Sequence, residues 1–443
     1  MRRRRVIVLT GIAATSGCLR LQDDQAGGGN STAQRSEGSG GVRDVSGTWA
    51  QYGYDAARTG TATGESGPTD DIAKQWHVTD NQPHSLGSSP AVADGNVYIV
   101  TNRGEQVVWA IDATTGETQW KQPVGGLWKH SLAIANGQLF CATTSGEAVA
   151  LDTETGAYNW QVSIDGNVDS QNNVAVNDGT VYITDDSGRF YMLSTDDGTE
   201  IERIEFDGRC LSGPAITDGK AFVATFGPTD PDAYPEGAED WVFTGGDAAK
   251  EIQSDLVAMD GSGTIQKTDT QTGDIEWSVD LPDFVTVTPT VVDGTIYVGC
   301  WDGYLYAIDA ADGSQEWRYE LGTPVTGDAS VADETVYIGD WDATLHAIST
   351  AGDEEWILPS DVDDARITTK PTIADGVVYV NINRGIIAAD SDGRQLWEFQ
   401  GRRRWFDESS PAVVDGSLFV CGSVDRRTID GEEEPIGGLY KVV

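Results

Sequence analysis

Arg402, Arg403 and Arg404 run consecutively and lead into Trp405, on a chain whose net charge is −42. A guanidinium fork grips carboxylate or phosphate at two points, and a neighbouring indole stacks on a planar ligand. Trp128 with His130, Trp301 beside Asp302, Trp341 beside Asp342, and Arg384 beside Asn383 are residues of the same kind. Together they suit the binding of a planar or anionic group. A plainer role for the arginines is to neutralise surrounding carboxylates. Catalytic chemistry finds less material. The chain has no GxSxG, HExxH or P-loop sequence, and only four histidines. Five cysteines occur without a CxxC pair or a histidine-rich cluster, which argues against zinc. The carboxylates between Gly227 and Trp241 lack the EF-hand spacing for calcium. No catalytic or metal-ligating residue is therefore assigned.

The charge excludes one class of partner outright. With 71 acidic residues against 29 basic ones, no general basic surface exists to hold nucleic acid. Apolar residues at 39% still supply a core, so the chain is not a solvated acidic tail. Carboxylates spread along the whole length keep a surface hydrated where salt screens their repulsion. That balance fits a halophilic archaeon. It also predicts salt dependence: the melting temperature should fall on transfer from molar KCl to dilute buffer. An unchanged value would show that carboxylate repulsion does not limit stability.

The first residues read as an address. Arg2–Arg5 precede a short apolar stretch, then Thr15-Ser16-Gly17-Cys18. Residues 1–17 have the layout of an export signal of the twin-arginine type, and the stretch is too short to span a bilayer. Ser-Gly-Cys resembles a lipobox, which would place a lipid on Cys18 and anchor the protein outside the cell membrane. Residues 18–48 contain GGGNSTAQRSEGSGG, a tether without hydrophobic period.

From Ser89 to the C-terminus one unit recurs eight times. SPAVADGNVYIV at Ser89 and PTVVDGTIYVG at Pro289 are typical: an alternating apolar run, Asp-Gly, and a second run. Asp-Gly supplies the positive φ angles of a two-residue hairpin turn. The first turn residues fall at positions 94, 136, 178, 218, 293, 333, 375 and 415. The step is about 40 residues, the size of one propeller blade of four short strands. The step from 218 to 293 holds an insertion, placed at about 226–270. Asp333-Glu334 lacks the glycine, so a different turn is expected there. Each hairpin is followed by a third strand, a turn closing on glycine, and a fourth strand carrying tryptophan. Ala110, Asp112, Thr115, Gly116 and Trp120 recur as Ala150, Asp152, Thr155, Gly156 and Trp160. In the third copy Glu202 stands in the tryptophan's place.

The pattern A-x-D-x-x-[TD]-G-x-x-x-W resembles the tryptophan-docking motif of pyrroloquinoline quinone (PQQ)-type β-propeller repeats. These occur in quinoprotein dehydrogenases and in BamB-like lipoproteins. The resemblance implies an all-β, eight-bladed propeller over residues 49–443. It implies that Trp76, Trp120, Trp160, Trp277, Trp317, Trp356 and Trp397 dock between neighbouring blades. Ile72–Val78 reads as an orphan fourth strand. Paired with Gly438–Val443, it would close the last blade. In such a ring the second-to-third-strand loops and the blade-to-blade connections share the usual ligand face. Trp128, His130, Trp301, Trp341, Arg384, Arg402, Arg403, Arg404 and Trp405 fall there. The functional expectation is a monomeric, noncatalytic, lipid-anchored scaffold or binding module without cofactor, whose partner is another cell-surface protein. The alternative is a PQQ- and calcium-dependent oxidoreductase of alcohols or sugars. The adjacent cysteine pair of many such enzymes is absent.

Overall fold

The computed structural model describes residues 45–443, except 71, 84–87, 102–105, 128–130, 167, 169–173, 228–261, 363–364, 383, 401–408 and 430–431; it also describes the backbone of Gln34–Arg35. The described residues form strands and turns with no helix. Eight antiparallel sheets, each built on four strands, follow one another along the chain. Blade 1 is typical, with strands Ala91–Ala93, Asn96–Val100, Val107–Asp112 and Thr118–Pro123. The first strands touch one another in sequence and the eighth touches the first, so they line the centre of a closed ring. Second and third strands are apolar and buried on both faces because neighbouring blades sandwich them. Fourth strands alternate polar and half-buried residues, as in Thr118–Pro123, because their outer edge faces water.

The ring is closed by strand exchange, as the sequence leads one to expect. The eighth blade takes Ala412–Val414, Ser417–Ile429 and Glu432–Val442, and its fourth strand is Lys74–Pro83. Ala73 and Val443 exchange backbone hydrogen bonds of 2.9 and 3.0 Å.

The hairpin turns carry positive φ at both central residues, as at Asp94 (50°) and Gly95 (75°). The expectation of a different turn at Asp333-Glu334 is wrong. Asp333 lies at 47° and Glu334 at 65°, the same left-handed pair. The reason is a bond outside the turn. The second turn residue presents its carbonyl to the amide after the third strand, Gly95 to Ala113 and Glu334 to Thr350. The two-residue connection and this bond fix the conformation, and glutamate accepts the strain.

Between blades, tryptophans lie on glycines. A Cβ on Gly156 (φ +73°) would stand 2.7 Å from ring atoms of Trp120, and one on Gly393 would stand 2.6 Å from Trp356. Five of these indoles, those of Trp120, Trp160, Trp277, Trp317 and Trp356, also reach the next blade's backbone: Trp120 Nε1 donates to Thr153 O at 2.9 Å and Trp317 Nε1 to Thr350 O at 2.9 Å. At Gly273 the neighbour is Glu202, whose side chain is exposed and offers no such bond to a carbonyl. Trp397 has a different acceptor. Its Nε1 donates to Pro68 O at 2.8 Å, so the segment before the ring supplies what a neighbouring turn supplies elsewhere.

That segment does more than enter the ring. Two residues before each hairpin turn, a first-strand amide faces the axis. Val92, Ile134, Ile216, Val291, Val331 and Ile373 donate this N–H to the carbonyls of Trp49, Ala50, Ala56, Ala57, Thr59 and Gly60, in that order. Val176 donates to Gln51 Oε1 at 3.1 Å. In the eighth blade Gly416 N–H donates to Ser66 O at 2.7 Å and Asp415 N–H to Glu65 Oε2 at 2.7 Å.

Candidate functional site

Two faces result. One carries the hairpin turns and the docking glycines. The other carries the second-to-third-strand loops and the blade-to-blade connections, where the sequence places its candidate ligand residues. Trp301 follows the second strand of blade 5, Thr295–Gly299, and Trp341 holds the same place after Thr335–Gly339 of blade 6. Their ring centroids lie 6.4 Å apart with the planes tilted by 58°. Both indoles are fixed by repetition of one device. Trp301 Nε1 donates to Thr286 Oγ1 at 2.9 Å, and Trp341 Nε1 to Thr326 Oγ1 at 2.6 Å. Each threonine comes from the connection entering the same blade.

The array continues on both sides. Phe284 meets Trp301 edge-on at 5.9 Å, and Phe226 meets Phe284 edge-on at 5.4 Å. On the far side the Arg366 guanidinium lies 5.0 Å from the centroid of Trp341. Sequence reading missed Phe226, Phe284 and Arg366. The connections repeat an apolar-Thr pair, Val285-Thr286, Val325-Thr326 and Ile367-Thr368, but the residue before it varies, as Phe284, Pro324 and Arg366, so only the ring geometry brings these side chains together. Arg384 sits half-buried on the corresponding loop of blade 7. Trp128, His130, Arg402, Arg403, Arg404, Trp405 and Cys18 lie outside the described residues.

Beneath this face, carboxylates tie the loops down. Asp302 Oδ2 accepts the Tyr306 hydroxyl at 2.5 Å, Asp185 Oδ2 accepts the Tyr191 hydroxyl at 3.1 Å, and Asp340 Oδ2 pairs with His346 Nε2 at 3.2 Å. Tyr191, Tyr306 and His346 hold equivalent third-strand positions. The shared geometry marks a loop clamp, and His346 serves in it as a structural residue. Burial raises the Asp185 carboxyl above its usual range, against hydrogen bonds that lower it. The four cysteines of the ring are free and buried. Burial alone pushes the Cys141 thiol up to about 12, and burial does the same to Cys421, so neither is a nucleophile at neutral pH.

The channel floor holds two buried cations, Arg58 and Lys370. Arg58 donates to Tyr52 O at 2.6 Å, Val174 O at 2.8 Å and Pro214 O at 3.1 Å. Lys370 Nζ donates to Thr290 Oγ1 at 2.7 Å and to Ala329 O. Burial lowers Lys370 to about 8, with Asp328 and Asp55 opposing the shift. Burial, then the neighbouring Asp328, pushes the Tyr52 phenol well above its usual value.

Fold and repeat geometry define the class: an eight-bladed propeller of PQQ-type repeats. A family model for the outer membrane protein assembly factor BamB matches residues 57–168, 160–250, 235–356 and 301–429, and the chain belongs to that family. None of the curated proteins matches in sequence. Among solved structures, BamB from Moraxella catarrhalis is 15% identical with a TM-score of 0.59, over 84% of this chain and 99% of its own. Quinohemoprotein alcohol dehydrogenase from Comamonas testosteroni is 14% identical with a TM-score of 0.67, over 89% and 80%. A europium-containing methanol dehydrogenase is 12% identical with a TM-score of 0.68, over 90% and 98%. At these identities the likeness is one of fold.

PQQ is a tricarboxylate quinone that wants cations at its carboxylates and a metal at its carbonyl oxygens. The cations of the described channel floor, Arg58 and Lys370, are directed at backbone carbonyls and a threonine hydroxyl. Among the described residues no group of three or more His, Cys, Asp or Glu side chains stands where it could hold a metal. The described residues do not fit the group.

Proposed function

We propose that this chain is a noncatalytic binding module, carried outside the cell membrane on a lipid at Cys18, in a halophilic archaeon. Its partner is another cell-surface protein, and the loop face carrying Trp301, Trp341 and Arg366 is where that partner docks. The observation behind this reading is the locked aromatic array. Two indoles held by Thr286 and Thr326, with a guanidinium on one of them, form a preorganised contact surface. Rigid aromatic and arginine anchors are the residues that dominate protein interfaces. Crosslinking of intact cells tests it. The native chain should give a discrete crosslinked product that Trp301→Ala/Trp341→Ala loses while the ring stays folded. Equal crosslinking of both would remove the face from consideration.

The second reading, a PQQ- and calcium-dependent oxidoreductase, has one observation in its favour. Asp328 is a carboxylate buried in the channel wall, where its Oδ1 accepts the Thr288 N–H at 2.8 Å beside the Tyr52 phenol. Titration of residues 42–443 with PQQ and calcium in molar salt, followed by tryptophan fluorescence, decides it. Saturable micromolar quenching would restore the oxidoreductase; a flat response leaves the binding module.

A further inference from the structure

The inner edges of the eight first strands turn backbone groups toward the channel, and such groups, taken out of water, need partners. Residues 49–66 supply them one blade at a time in blades 1 to 7 and take the hairpin-turn amides of Asp415 and Gly416 in blade 8, and the order of acceptors along this segment is the order of blades round the ring. We propose that residues 49–66 form an internal clasp, which holds the ring closed from within and stops the channel at the hairpin-turn face, with Arg58 as its pin.

The clasp is shaped for this place and no other. To follow a tight circle the backbone takes left-handed conformations at Gly53, Tyr54, Arg58 and Gly60. At Gly60 nothing larger fits, since a Cβ would stand 2.2 Å from Ser330 Oγ. Arg58, fully buried and non-glycine at φ +63°, bears both strain and charge burial. Its position explains why. In blades 5, 6 and 7 a first-strand hydroxyl crosses to the next blade's carbonyl: Thr290 to Ala329 O at 2.7 Å, Ser330 to Pro371 O at 2.6 Å, Thr372 to Pro411 O at 2.7 Å. The residues that would reach Val174 O and Pro214 O in the same way are Ala133 and Ala175, which have no hydroxyl. The Arg58 fork reaches both carbonyls, and Tyr52 O as well, so one side chain joins the clasp to blades 3 and 4. Lys370, from blade 7, lies just inside. Its Cε stands 3.3 Å from where a Cβ on Gly53 would be. With this end stopped, access to the channel is from the loop face alone.

The experiment uses the whole chain in molar KCl. Acetylation by a small amine-reactive reagent, mapped by peptide mass spectrometry, should modify exposed Lys121 readily and Lys370 at least a hundredfold more slowly. Arg58→Ala should raise the Lys370 rate at least tenfold relative to Lys121, and Arg58→Lys should do so too, because an ammonium cannot span three carbonyls. Hydrogen exchange on the unaltered chain gives a second measure that needs no variant. The amides of Val92, Ile216 and Ile373, in three separate blades, should be as protected as ladder amides of the second and third strands. Rapid exchange at those amides, or a Lys370 rate that folded Arg58→Ala leaves unchanged, would overturn the clasp.

Discussion

Replacing Gly156 by alanine should cost far more stability than the same replacement at Gly376. Both glycines are left-handed, at φ +73° and +72°, so both variants bear the backbone penalty of a non-glycine residue there, about 1 kcal/mol. Both also gain the same small amount from a stiffer unfolded chain. They differ in surroundings. A Cβ on Gly376 meets nothing within 4 Å, whereas on Gly156 it lies 2.7 Å from two ring atoms of Trp120. The indole cannot retreat without losing its bond to Thr153 O and its packing on Tyr98, whose ring centroid is 5.9 Å away. Overpacking of this kind adds roughly 1–3 kcal/mol. Denaturant unfolding in molar KCl should place Gly156→Ala about 2–4 kcal/mol below the parent and Gly376→Ala about 1 kcal/mol below it. Equal losses would mean that the tryptophan docks contribute shape and little energy.

That contrast rests on what the repeat made legible. Asp-Gly at a regular step marked the hairpins, and the family resemblance carried by the Gly-x-x-x-Trp pattern implied a contact between blades. The lone strand ending in Trp76-His77-Val78 needed a partner, and the Glu432–Val442 strand is that partner. These signals are legible because they reside in side-chain type and period. The clasp was hidden for the opposite reason. Its acceptors are almost all backbone carbonyls, which every residue carries, and side chains act in it at only a few positions, chiefly Gln51, Arg58 and Glu65. The Trp301–Trp341 pair was legible as two similar loops, yet Arg366 was not, since its contact depends on the angle between adjacent blades. Asp333-Glu334 shows the limit of residue preference. A connection held by the strands on either side and by Thr350 N–H keeps its left-handed turn without glycine.

Lys370 gives the protein a measurable pH signature. Burial lowers its folded-state pKa from 10.5 to about 8, while in the unfolded chain it titrates near the ordinary value. Below pH 8 the amine is charged in both states, and folding carries the full cost of burying that charge. Between about 8 and 10.5 the unfolded chain binds the extra proton, so stability rises with pH; above that window the amine is neutral in both states and the cost is gone. The shift corresponds to about 3 kcal/mol at the far end of the window. Other groups titrate over the same range, so the quantity to measure is the difference between the parent and Lys370→Met. Methionine keeps the length and apolar stem of the side chain, and Thr290 Oγ1 still donates to Ala329 O without the amine. Unfolding free energies from about pH 7 to about pH 10.5 should show the parent gaining on the variant by a few kcal/mol, with the rise centred above about pH 8. A difference that stays flat with pH would place the amine in contact with water, and with it would go the closed floor that buries it.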